Sequence, residues 1–366
     1  MSNVHNVVVQ SAGNQVPKVK LDSIQCCRAL AFLMVIMLHR PPSWEIFNIT
    51  QYGRYGVMMF FIISGFIITY LHLNNSIESV KTFAIKRIVR LYPVYLTSTV
   101  ICIAVSYYIY ATGFSGWSPL EKFNEIGWVT TLTLLPVNDG HAVNFLAWSL
   151  VYEIWYYILF GLAIYLLKGR FIIGVLLYAV LLILANAFNV VGFSSSGIFV
   201  NLVVILSPLN LFFIIGALIA YIMFDKNGGF RRSCILTFFA CYLAIIFLSG
   251  SYTLGSLGGY TTEFLLLTAS IAIIVGLLLI ERTGKVKFPW VVVYLGNMTY
   301  SLYLIHYVYL FCFGMAIDRF FPSANKDSTS SVMVYYLSLL VICFVVYKYF
   351  ELPSGRYLRN RFLRTS

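Results

Sequence analysis

The sequence predicts an all-α protein whose helices cross a membrane about ten times, with both termini on the cytoplasmic side. Three observations lead there. Of the 366 residues, 60% are hydrophobic and 10% charged, where soluble domains carry about 25% charged residues; mean hydropathy is +0.85. Apolar stretches suited to a hydrocarbon core of about 30 Å recur along the whole chain. The basic residues are also distributed unevenly between the connections on the two sides.

In chain order, residues 1–20 are polar and lack the apolar core and small-residue cleavage site of a signal peptide. They read as a disordered cytoplasmic leader. The membrane domain, 21–353, offers crossings at 22–42, 55–73, 91–111, 144–167, 171–190, 198–224, 233–250, 261–280, 291–314 and 330–350. Pro208 lies inside the sixth and, having no N–H to donate, predicts a kink or break. An even number of crossings returns the chain to its starting side, and the Lys/Arg count selects that side. With the N-terminus in the cytoplasm, 20 of the 25 basic residues lie on or near it, all but Arg40, Arg54, Lys122, Arg319 and Lys326. The net charge of +12 is then mostly topology. It requires no nucleic-acid partner, and it favours anionic lipid at the inner face.

A cytoplasmic loop, 74–90, ends in Lys86-Arg87-Ile88-Val89-Arg90. The longest external loop, 112–143, carries Glu121, Glu125, Asp139 and His141 with Trp117 and Trp128. The tail, 354–366, holds Arg356, Arg359, Arg361 and Arg364 and reads as a basic inner anchor. The seven cysteines lie in or beside apolar segments without metal-ligand or redox spacing, so they read as small apolar packers. No metal site is expected.

Five groups of residues stand out. Arg28 and His39 bracket the ten apolar residues Ala29 to Leu38, about 15 Å of helix at 1.5 Å per residue. If the segment spans, both ends of the run fall inside the slab, where ionisable groups are costly and face a protein-lined or wet cavity. Either they form a functional axis on one helix face, or Arg28 snorkels to one interface and His39 caps the helix at the other. Arg87 and Arg90, three apart, share a face with Lys86; guanidinium forks match phosphate oxygens, and a positive-inside anchor is the plainer reading. Glu153 is the one carboxylate well inside an apolar span, with Ser149 a turn before it. It is a functional candidate or the structural partner of a buried arginine such as Arg28. His306, beside Tyr303, reads as a packing histidine. Ser64 and Gly65 permit close helix approach.

In this order the blocks resemble the acyltransferase-3 family of integral membrane acyltransferases, from about Leu21 to about Arg359. The matching blocks are Leu21-Asp22 through Arg28 and His39; Gly56 through Phe60-Phe61 and Ser64-Gly65-Phe66; Arg87-x-x-Arg90-Leu91-Tyr92-Pro93; Trp148-Ser149-Leu150 with Glu153 and Tyr157; Tyr300 through His306; and Glu351-x-Pro353. Two departures are visible. Met58-Met59 stands where the family often has an acidic residue before the two phenylalanines, and Ser23 to Cys27 replaces frequent Gly and Arg residues.

The resemblance implies a plasma (inner) membrane enzyme that moves an acyl group, usually acetyl from cytoplasmic acetyl-CoA, to a hydroxyl of a carbohydrate or other acceptor. On that reading Arg28, Lys86, Arg87 and Arg90 meet the phosphates of the donor. His39, whose ordinary pKa lies near neutrality, takes the acceptor proton, and Glu153 is the further catalytic candidate. Ser149, Tyr303 and His306 support the substrate or the fold. Direct transfer is favoured over a seryl intermediate, and an acyl-histidine remains open. The acceptor suggested is a surface polysaccharide unit such as O-antigen of lipopolysaccharide or an exopolysaccharide, either lipid-linked or polymerised, with Trp117 and Trp128 placed either to stack on sugars or to anchor at the interface. A transporter or glycan flippase is the alternative. It calls for paired repeats with matching helix breaks, and the chain has no visible repeat and one break. The orientation is checked by single cysteines on a Cys-free background. An impermeant external thiol reagent labels position 121 and spares position 10; the opposite pattern overturns the topology.

Overall fold

The computed structural model describes residues 21–42, 49–74, 79–112, 125–188, 190, 200–225, 229–251 and 259–363. The expected leader 1–20, Trp117, Glu121, Lys122 and Arg364 lie outside them. Among the described residues there are helices and isolated bridges but no strands. The helices, in chain order, are α1 (Asp22–His39), α2 (Tyr55–Leu73), α3 (Val80–Thr112), α4 (Trp128–Thr133), α5 (Ala147–Leu167), α6 (Phe171–Ala187), α7 (Leu202–Ile205), α8 (Asn210–Phe224), α9 (Arg231–Ser251), α10 (Gly259–Arg282), α11 (Trp290–Asn297), α12 (Thr299–Phe320), α13 (Thr329–Val346) and α14 (Leu352–Leu363).

Nine stretches of the described residues are long and apolar enough to cross a membrane. One of them, 147–187, has 41 residues, about twice the length that one crossing needs. It turns back at Lys168, whose φ of +48° lies in the left-handed region. Trp155 Nε1 on α5 donates to Tyr178 on α6 at 3.0 Å, which fixes the two as an antiparallel hairpin. The stretches therefore provide ten crossings, and the protein is an all-α polytopic membrane protein.

Boundaries differ from the sequence reading in three places. The loop expected over 74–90 is largely helix: Ser79 Oγ accepts the Thr82 N–H at 3.1 Å, the N-cap that starts α3. At 33 residues, with Pro93 in its interior, α3 is about 50 Å long, so Lys86, Arg87 and Arg90 ride on a helix rather than a loop. The ninth crossing is split at Met298 into α11 and α12. The tail is α14, an ordered helix that packs on α3.

The break at Pro208 is present and separates α7 from α8. Backbone carbonyls freed inside a membrane need new donors. Asn210 Nδ2 supplies them, reaching the oxygens of Val204 at 2.8 Å and Ser207 at 3.2 Å, while Asn186 Nδ2 of α6 reaches Leu206 at 2.8 Å. At the N-terminal end of α1, the Glu281 carboxylate of α10 accepts the Asp22 N–H at 2.7 Å and the Ser23 hydroxyl at 2.5 Å. A partner helix thus caps the positive end of α1.

The tightest crossing is α2 on α8. Gly65 rests on the Phe213 carbonyl and Gly216 on the Ile62 carbonyl, so a methyl group at either would collide with backbone. Close approach of this kind is how helices associate where lipid removes the hydrophobic drive. Phe213, Phe61 and Tyr156 stack beside it, with ring centroids at 4.4 and 4.7 Å. Gly65→Ala and Gly216→Ala are therefore each expected to cost about 1–3 kcal/mol by overpacking. Gly276→Ala on α10, where a methyl meets nothing within 4 Å, is expected to be neutral or slightly stabilising. Melting temperatures in detergent check this, and equal effects at all three positions overturn it.

Candidate active site

Five helices meet around a cavity of about 70 Å³. Arg28 comes from α1, Ser64 from α2, Arg87 and Arg90 from α3, Ser149 and Glu153 from α5, and Tyr303 from α12. Six of the nine residues singled out in the sequence thus share one cavity. Lys86 lines a second cavity, about 300 Å³, that adjoins the first through Arg87 and Arg90. His39 and His306 form a separate pair beyond Tyr303.

Arg87 is 9% exposed. Its guanidinium lies between the rings of Phe83 and Tyr157, 5.3 and 5.4 Å from their centroids, an arrangement that stabilises a desolvated cation. Its Nε is buried with no acceptor. Glu153 is held by hydroxyls: it accepts from Ser64 Oγ at 3.1 Å and from the Tyr157 phenol. Tyr157 thereby joins carboxylate to guanidinium, with its hydroxyl on one and its ring on the other. Arg28 donates to Gln25 at 3.3 Å. Arg28 lies in the field of both Glu153 and Glu351, Arg87 in that of Glu153 and Arg90 in that of Glu351; Glu351 lines the neighbouring cavity.

Ser149 Oγ lies 3.1 Å from the Leu146 carbonyl and 2.7 Å from the Tyr303 hydroxyl. The Tyr303 hydroxyl also lies 3.5 Å from that carbonyl, so either hydroxyl can donate across the contact between them. No base takes the proton, and this serine is a structural link rather than an activated nucleophile.

His306 is fully buried. Its Nδ1 faces the carbonyls of Tyr303 at 2.8 Å and Leu302 at 3.2 Å, so Nδ1 carries the proton and Nε2 is left as an acceptor. That Nε2 lies 3.4 Å from His39 Nδ1, which also faces the Val35 carbonyl at 2.9 Å. His39 accordingly carries its proton on Nδ1, and its Nε2 keeps a lone pair. An imidazole oriented from behind with the outer nitrogen free is the arrangement of a general base. His306 was expected to act through packing alone; the structure adds a polar contact across 267 residues of sequence. Nothing in the spacing marks it. Tyr303 links the pair to the cavity, with its ring 5.9 Å from His306.

At the opposite end of the bundle from α14 lies a chamber of about 610 Å³. Glu125, His141, Asn144 and Asn201 contribute polar groups, and Phe145 and Trp148 contribute rings. The segment 125–146 is firmly built: Asp139 caps α4 by accepting the Val129 and Thr130 N–H groups at 2.7 and 3.2 Å, and Tyr95 donates to Thr131 O at 2.6 Å. Trp128, read from sequence as a possible stacking ring, is 41% exposed on α4 and does not line the chamber; the indole that does is Trp148. Trp148 and Tyr152 form its floor and meet Phe61, which lines the central cavity, at centroid distances of 6.3 and 6.0 Å.

The family model described as an acyltransferase domain, Acyl_transf_3, matches residues 21–348. The chain matches no curated protein and no solved structure. The match covers every helix that lines the central cavity and extends over most of the chain: the protein is a membrane acyltransferase of the acyltransferase-3 family.

Proposed function

We propose that this acyltransferase moves an acetyl (acyl) group from cytoplasmic acyl-CoA to a hydroxyl of a surface carbohydrate, such as an O-antigen or exopolysaccharide unit, at the plasma membrane. The observation that carries the reading is the buried Arg87, held between two rings with an Nε that has no acceptor, in a cavity shared with Arg28 and Arg90. Three guanidinium groups against Glu153 leave an excess of positive charge that suits a phosphorylated donor. The end of the bundle that carries α14 is the basic one, and the positive-inside tendency puts it in the cytoplasm, where acyl-CoA is made. The opposite chamber, with rings and amide side chains, suits a glycan.

In this reading His39 Nε2 takes the proton of the acceptor hydroxyl, the oxygen attacks the thioester carbonyl, and the carbon–sulfur bond breaks. The proton leaves with the thiolate. His306 holds His39 in the tautomer the step needs and accepts from Nδ1 when His39 becomes charged. The Ser149 geometry supports direct transfer.

Three outcomes are expected. His39→Ala and His39→Gln lower kcat by about 10²–10⁴-fold, the usual contribution of a general base, and leave donor affinity nearly unchanged. His306→Gln, which keeps an acceptor, loses less than His306→Phe. Full transfer by folded His39→Gln removes His39 as base. Arg87→Ala weakens acyl-CoA binding by about 10-fold or more, as loss of a charged hydrogen bond does, and Arg87→Lys recovers part of it. Unchanged donor affinity with normal protein level returns Arg87 to a structural role. The acceptor is identified by mass spectrometry of surface glycans with and without the protein, as a difference of one acyl group.

A further inference from the structure

The cavity beside the active site is formed by α3 and α14 and brings together two arginine pairs of the same spacing. Arg87 and Arg90 project from α3, and Arg356 and Arg359 from α14, with Lys86 beside them and Glu351 as the acidic group on the wall. Five cations therefore face one carboxylate. That carboxylate is already engaged, because Ser301 Oγ donates to it. The π-type turn Tyr347–Glu351 that carries it also sets the direction in which α14 leaves α13 and comes to lie on α3.

Two features separate this groove from a membrane anchor. The arginines of α14 are sorted: Arg361 donates to the Tyr357 hydroxyl one turn back, at 3.2 Å, and does not line the groove, whereas Arg356 and Arg359 do. A helix that merely met lipid phosphates has no reason to aim one pair at a neighbouring helix. The groove also runs into the active site, since Arg87 and Arg90 line both cavities, and the unpartnered, buried Nε of Arg87 stands at the junction.

Size divides the work. The central cavity, at about 70 Å³, is the smaller of the two and suits the reacting acyl end of a donor. The groove of about 300 Å³ reaches the size at which small-molecule sites begin. Resting on the donor reading above, we infer that α14 completes the nucleotide end of the acyl-CoA site: Arg87 and Arg90, nearest the cavity, take the diphosphate, and Arg356 and Arg359, outermost, take the 3′-phosphate of the adenosine. The C-terminal helix is then a specificity element for the phosphorylated nucleotide.

The test measures binding of CoA and of dephospho-CoA, which lacks only the 3′-phosphate, to the full chain in nanodiscs of neutral lipid. The wild type is expected to prefer CoA by about tenfold or more, the effect of losing a charge-assisted contact. R356Q/R359Q is expected to bring that ratio close to one, and R356K/R359K to restore part of it. A general loss of fold lowers both affinities together and leaves the ratio alone. A double variant that keeps the wild-type ratio therefore overturns the assignment. So does a ratio that changes only when anionic lipid is added, which makes the groove a headgroup site. If the wild type binds neither compound, the donor reading itself fails; if it binds both equally, the donor reading stands and the role of α14 falls.

Discussion

Arg87 is a guanidinium inside a helical membrane bundle, and it is stabilised by rings rather than by a salt bridge. Phe83 supplies one face from its own helix, and Tyr157 supplies the other from α5. A direct carboxylate partner would neutralise the charge and occupy its donors. Here the Tyr157 hydroxyl binds Glu153 instead, so the negative charge is near enough to reduce the cost of burial and leaves the fork open. Ser64 gives Glu153 its other contact, and Ser64 is held in place by the α2–α8 crossing at Gly65 and Gly216. The site charge, the aromatic clamp and the tightest helix contact are successive links of one arrangement.

The helical fold was legible in the sequence because apolar runs of membrane length are a strong signal, and Pro208 marked its break without ambiguity. Turns between crossings were less so: the start of α3 depends on Ser79 acting as a cap within a polar stretch that reads as loop, and the end of α11 on a local break at Met298 inside an apolar run. Of the candidate site, Arg28 and Glu153 were legible because burying charge in lipid is expensive and therefore conspicuous; Arg87 and Arg90 stood out only by their shared helix face, and in a cytoplasmic segment that spacing reads more simply as a positive-inside anchor. The His39–His306 contact was not, since it joins the outer part of α1 to α12 and each histidine alone is compatible with packing. Arg356 and Arg359 were hidden by a different ambiguity. A basic C-terminal segment satisfies the positive-inside tendency whether or not it folds back against α3, and only the course of the chain through the turn at Tyr347–Glu351 distinguishes the two. Trp148 was visible as part of a motif, but its place on the floor of a chamber depends on how 125–146 folds over the bundle.

The unwound segment between α7 and α8 shows the same economy with backbone groups. Asn210 and Asn186 turn a break that would be costly in hydrocarbon into a defined corner. Tyr178, which donates to the Ile205 carbonyl at 2.6 Å, fixes that corner to α6. Asn201, which caps α7 by accepting the Val204 N–H at 3.2 Å, and Val204 line the outer chamber, so the repaired corner adjoins the chamber wall.

The layer made by Phe61, Trp148 and Tyr152 has a consequence for the cell as well as for the reaction. Cavities entering from the two ends of the bundle come within one layer of side chains of each other, and a continuous wet path between them would conduct protons and ions down the gradient that energises the membrane. Three rings with centroids about 6 Å apart fill that layer with side chains rather than open space.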